Sequence, residues 1–217
     1  AVLLFYAGQV FYAVALPGVA HTAPFSPWSF GAYLGRLLPL VWVGALFFLT
    51  FFTSARERRA AVLTAATPAD PRRYALARCA AALVGVALLC LEALALAALL
   101  YARLFGWTDW GSLALPALVI LAPPLVFALG SGWLLGRLRP WLLYVWMLLP
   151  FALAALPLPE ALGLWNGGLC TSYPLTLGML DPAFSLPAAA WAVQGLLLAA
   201  GVLLLLVAGK GKKVYNQ

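Results

Sequence analysis

The chain has 217 residues, 65% of them hydrophobic and only 9% charged, with a mean hydropathy of +1.01. Soluble domains carry about a quarter charged residues, so the composition excludes an ordinary water-soluble fold and predicts an all-α polytopic membrane protein. The net charge of +7 does not argue for nucleic acid. The basic residues lie in short stretches between apolar runs of about twenty residues, which is how membrane topology signals are arranged.

The chain opens inside an apolar run, a first predicted span over 1–17, with neither an initiator methionine nor a basic flank. More chain is therefore expected ahead of Ala1; a signal peptide would need a charged n-region and a small-residue cleavage site, and neither is visible. Phe5, Gln9 and Tyr12 fall at i, i+4 and i+7 and share one helix face. Packing against a neighbouring helix is the first reading of that stripe, and lining a transport pathway is its alternative. Pro17-Gly18 ends the run, and 21–29 reads as a short loop. Trp28, Phe30 and Tyr33 stand at its far edge, as an interfacial aromatic belt would place them.

A second span is predicted over 31–53, carrying Arg36 near its outer end. The segment 54–70 that follows is the longest charged interruption in the chain. Ser54 with Glu57 three residues on is a capping-box pattern, Thr67-Pro68 breaks the helix that it starts, and Asp70-Pro71 supplies an N-cap and a first-position proline for the next one. A short basic helix between two spans results. The third span, 71–104, is about 50 Å long at 1.5 Å per residue, so its first two turns should stand outside the hydrocarbon.

Tyr101, Phe105, Trp107 and Trp110 mark the outer exit of that span. A fourth follows over 113–135, with Pro116 and Pro123-Pro124 as sites of kinking. The basic turn Gly136-Arg137-Leu138-Arg139-Pro140 leads to a fifth span, 141–156. The region 158–187 is too apolar for a free loop and reads as two short re-entrant helices in the outer interface, on either side of Asn166-Gly167-Gly168. The last span, 188–208, has small residues at Gly195, Ala199 and Gly201 for close helix approach.

Six spans put eleven of the thirteen basic residues, those in 54–78, 137–139 and 210–213, on one side. By the positive-inside rule that side is the cytosol, so both termini are expected there and the chain in the plasma membrane as a single transmembrane domain over 1–217.

Few residues suggest chemistry. Cys79 and Cys90 are eleven residues apart on one predicted helix, about 16 Å, too far for a disulfide, and Cys170 is left without a partner. One histidine and no Cys/His cluster argue against zinc or haem. Arg36 and Glu92 are the two ionisable residues well inside the predicted spans. Each costs about 2.5–3.5 kcal/mol at a helix centre, and their depths differ by about 6 Å, so an intramembrane charge pair is expected, with a substrate or proton site as the alternative. Gly130-Ser131-Gly132 has the look of an intramembrane serine-protease motif. His21, however, lies most of a bilayer away, and glycines flanking a serine usually serve helix packing.

The cluster Arg56-Glu57-Arg58-Arg59, the aliphatic pair Val62-Leu63, the Thr67-Pro68 break and the basic start Arg72-Arg73-Tyr74 follow the second span in that order. In a six-span chain this arrangement resembles the permease subunits of ABC-2 type ATP-driven transporters, and the apolar 158–187 region is similar to the outer re-entrant helices of that family. The resemblance implies a non-catalytic membrane subunit working in export, with 54–70 as a coupling segment. Arg56, Glu57, Arg58, Arg59, Val62, Leu63, Arg72 and Arg73 would contact an ATPase. The implied partners are two cytosolic ATPase subunits, a second permease chain as homodimer or heterodimer, and membrane lipids; no cofactor would bind this chain, and ATP and magnesium would sit on the ATPase. Consistent with that division, no Gly-x-x-x-x-Gly-Lys-Ser/Thr phosphate loop is present in the sequence.

Two departures qualify the likeness. Ala60-Ala61-Val62-Leu63-Thr64 replaces the Gly-Thr and second glutamate usual in the family, as in the lesser half of a heteromeric pair, and the amphipathic helix usual before the first span is not in the sequence. The competing functional class is a secondary transporter or substrate-binding membrane subunit without a coupling helix. Such carriers often repeat internally, and no repeat relates the two halves of this chain.

Overall fold

In a membrane an apolar segment must satisfy its own backbone hydrogen bonds, which leaves the helix as the local solution for runs of this length. The computed structural model describes residues 1–19, 21–53 and 71–209, and every regular element among them is helical. The first, α1, covers Val2–Val10 and continues as a π-helical turn over Phe11–Ala15, where the Leu16 N–H donates to the Phe11 carbonyl five residues back, at 2.9 Å. Pro17 and Gly18, the latter at φ 75°, end it.

The second helix, α2, spans Pro27–Thr53 and begins a turn before the predicted start. Its cap explains why: the Ser26 hydroxyl accepts from the Trp28 N–H at 3.3 Å, and Pro27 takes the first helical position, where a missing donor costs nothing. Then come α3 (Pro71–Phe105), α4 (Gly111–Leu138) and α5 (Trp141–Ala155). A 3-10 helix (Glu160–Trp165), α6 (Gly168–Thr176) and α7 (Ala188–Gly209) complete the chain. The two short helices of the 158–187 region flank Asn166-Gly167, with Gly167 left-handed at φ 74°.

Four helices are long and apolar enough to cross a bilayer: Pro27–Thr53, Ala77–Phe105, Gly111–Leu138 and Ala188–Val207. Val2–Ala15 and Trp141–Ala155 are shorter, about 21–23 Å at 1.5 Å per residue against a hydrocarbon core of about 30 Å. The long helices divide into two kinds. More than half of the most apolar window is buried in α2 (56%) and α4 (61%), but only 22% in α3 and 17% in α7. The first pair is the centre of the bundle, and α3 and α7 flank it with wide apolar faces turned outward.

Packing at the centre depends on backbone approach. A Cβ on Gly201 of α7 would lie 2.6 Å from the Phe127 backbone nitrogen of α4, so only glycine lets these two helices touch. Of the three small residues expected to serve that contact, Gly201 does; Gly195 and Ala199 face outward instead. On α2, a Cβ at Gly35 would meet Gly167 at 2.7 Å, which seats the 158–187 region directly on the outer half of that helix.

The aromatic residues correct a second expectation. Trp28, Phe30, Tyr33 and Tyr101 are not an interfacial belt; all four are buried. The Trp28 indole donates to the Pro182 carbonyl at 2.8 Å, the Tyr33 hydroxyl to the Ala93 carbonyl at 3.0 Å and the Tyr101 hydroxyl to the Pro24 carbonyl at 3.0 Å. Phe30 is wholly apolar, and each of the other three rings is a core side chain whose polar atom is paired with backbone freed at a loop or held within a neighbouring helix, as burial requires. Phe11 closes the cluster edge-on to Tyr33 and Tyr101, with centroids 6.0 and 4.9 Å away.

Candidate functional site

The charged segment singled out in the sequence falls partly outside the described residues. Arg56, Glu57, Arg58, Arg59, Val62 and Leu63 lie there, and Arg72 and Arg73 fall in the first turn of α3. What the structure places is the frame on either side: the last turn of α2 and the second turn of α3.

Arg78 joins them. Its guanidinium donates to the Phe52 carbonyl at the end of α2, one of the carbonyls that a helix C-terminus leaves without an intrahelical partner. The negative end of the α2 dipole favours a cation there. The same guanidinium carbon lies 5.5 Å from the centre of the Phe52 ring and 5.8 Å from that of Trp133 on α4, within cation–π range of both. Three helices therefore meet on one side chain. The neighbouring layer is closed by Thr53 against Gly136 and by the stacked rings of Phe52 and Trp133, 6.5 Å apart with their planes 29° from parallel. The sequence marked Arg78 only as one more topology charge, because nothing local shows that a carbonyl and two rings converge on it.

The expected pair of Arg36 and Glu92 does not form among the described residues. The depth estimate was sound, since the Tyr33–Ala93 hydrogen bond brings α2 and α3 together at that level. The rotation was not. Arg36 is exposed and turned toward α1, α5 and α6, in a groove of about 530 Å³ lined by Tyr6, Leu40, Phe151, Ala154 and Asn166. Glu92 lies half-buried on the flank of α3. Depth follows from counting residues; the face does not.

Phe5, Gln9 and Tyr12 do share a face of α1, but it is the outer one: Phe5 is 73% and Tyr12 54% exposed, and Gln9 is exposed between them. Among the described residues they neither pack against another helix nor line the interior. Ser131 has a structural place. Its hydroxyl donates to the Phe127 carbonyl at 2.6 Å and accepts from the Trp146 indole at 2.9 Å, while Gly130 faces Gly201 and Gly132 faces Leu46 and Leu49. Its neighbours are packing surfaces, with no histidine among the groups it bonds.

Among the described residues no group of three or more His, Cys, Asp or Glu side chains could hold a metal ion. Fold and composition together define an all-helical, multi-pass membrane protein. No protein-family model matches the chain, and no curated protein or solved structure is significantly similar to it.

Proposed function

We propose that this chain is the permease subunit of an ATP-driven exporter of the ABC-2 type, one half of a dimeric channel that crosses the plasma membrane six times with both termini in the cytosol. It would be non-catalytic by itself, with ATP and magnesium held by two cytosolic ATPase subunits that grip the segment 54–70. In this reading α1 and α5 are the first and fifth spans, tilted little because they are short, and the helices of 158–187 dip into the outer interface.

The observation that carries the reading is the clasp at Arg78. It ties the end of α2 to α3 and α4 at the point where the segment 54–70 leaves and re-enters the bundle. A displacement imposed on that segment then acts on a stiff frame, and α3, continuous over 35 residues, would carry it about 50 Å to the outer side as a lever.

The test is affinity purification of the chain from native membranes. An ATPase subunit is expected to co-purify with it, and Glu57→Ala/Arg58→Ala is expected to lower its recovery at least tenfold while membrane insertion stays normal. If the unaltered chain brings down no ATPase, or the double variant retains it fully, the coupling reading fails and a carrier without an ATPase becomes the better description.

A further inference from the structure

The groove around Arg36 has a polarity that selects its ligand. Arg36 is its one charged lining residue, and no carboxylate of the described residues pairs with it. Asn166, also in the wall, accepts the Gly168 N–H with its side-chain oxygen at 2.8 Å, so the amide nitrogen remains to donate. The Tyr6 hydroxyl lies 3.5 Å from the Arg36 carbonyl. The free polar groups at the head of the groove are thus donors, five N–H on the guanidinium and two on the amide, a set that suits a phosphate or carboxylate.

Below the donors the wall is apolar. Pro39 and Leu40 follow Arg36 toward the cytosolic end of α2, and Phe151 and Ala154 face them from α5. Arg36 is nine residues into α2, about 14 Å from its outer end, where a long side chain reaches toward the outer headgroup layer. Donors outward and hydrocarbon inward match one kind of molecule.

We propose that the groove between α1, α2, α5 and α6 binds an anionic amphiphile, a lipid whose phosphate is held by Arg36 and Asn166 and whose chain lies along Leu40 and Phe151. Charge complementarity is what commits the groove to this occupant: a lone cation at this depth is costly, and an anionic headgroup neutralises it where no protein carboxylate does. The site needs no ATPase, so its failure and that of the coupling reading are separate results.

The experiment uses the full chain in phosphatidylcholine nanodiscs, with trace phosphatidylglycerol carrying a photoreactive group on its acyl chain and the matching phosphatidylcholine probe as control. Crosslinks within 141–155 are expected at least tenfold more often from the anionic probe. Arg36→Gln should bring that yield down to the phosphatidylcholine level, Arg36→Lys should keep part of it, and Arg139→Gln should leave it unchanged. Dodecyl phosphate should compete and inorganic phosphate at the same concentration should not. Equal labelling by the two lipids, indifference to Arg36→Gln, or displacement by inorganic phosphate would each overturn the proposal. Should Arg36→Gln fail to fold, Asn166→Leu removes the second donor without touching the charge; a several-fold loss supports the site, and unchanged labelling overturns it.

Discussion

Arg78 and Arg36 stand about 24 Å apart along the same central helix, one docked on its last turn and the other projecting from its outer half. Arg78 has a carbonyl acceptor, a helix dipole and two aromatic rings around one guanidinium. Arg36 has an exposed side chain, an apolar groove and no ion pair among the described residues. The contrast separates two uses of charge in a membrane protein. A cation drawn in by a carbonyl, a helix end and two rings holds helices together, and one that projects into a groove with no ion pair is available to a ligand.

The contrast is tested first on stability. Arg78→Ala should lower unfolding stability in neutral detergent by about 2–4 kcal/mol, the combined scale of a hydrogen bond from a charged donor and two cation–π contacts. Arg36→Gln under the same conditions should change it by no more than about 0.5 kcal/mol. Denaturation by graded sodium dodecyl sulfate, followed by tryptophan fluorescence, measures both. Equal losses from the two substitutions would erase the distinction.

A smaller effect sharpens the same point. If Trp133 acts as a wall of the Arg78 cage, Trp133→Leu and Arg78→Ala should be non-additive, with a coupling of about 1 kcal/mol in a double-mutant cycle. Additive losses would reduce the ring to packing and leave the Phe52 carbonyl as the only anchor.

Gln194 combines features of the two arginines. It is buried, at 2% exposure, yet neither polar atom of its amide has a hydrogen-bond partner among the described residues. An unsatisfied buried amide costs about 1–3 kcal/mol, so Gln194→Leu should raise stability by about 1 kcal/mol in the same assay. A fall instead would mean that the amide is engaged in the membrane, by water or by another molecule, and is closer to Arg36 in kind than to a packing defect.

The helices and their ends were legible in the chain because their causes are local. Pro17-Gly18, Pro71 and the turn at Arg139-Pro140 act through backbone donors and allowed torsions within a few residues, and the start at Ser26-Pro27, although placed a turn late, was written there too. Apolar runs that cross a membrane have little choice but to be helical. Which side of each helix faces inward had no such local cause. In a soluble helix the polar face marks the outside, but here lipid and protein interior are equally apolar, so hydropathy cannot tell Leu46, buried at the centre, from Leu196, 70% exposed on α7. For that reason the aromatic residues expected at an interface became the core, the stripe of Phe5, Gln9 and Tyr12 turned outward, and Arg36 missed Glu92. Depth along a helix is a property of the sequence. Rotation about its axis is decided by the neighbour it packs against: at Arg78 that neighbour is a backbone carbonyl no sequence pattern announces, and at Gly201 the small residue foretold a close approach but not that α4 would make it.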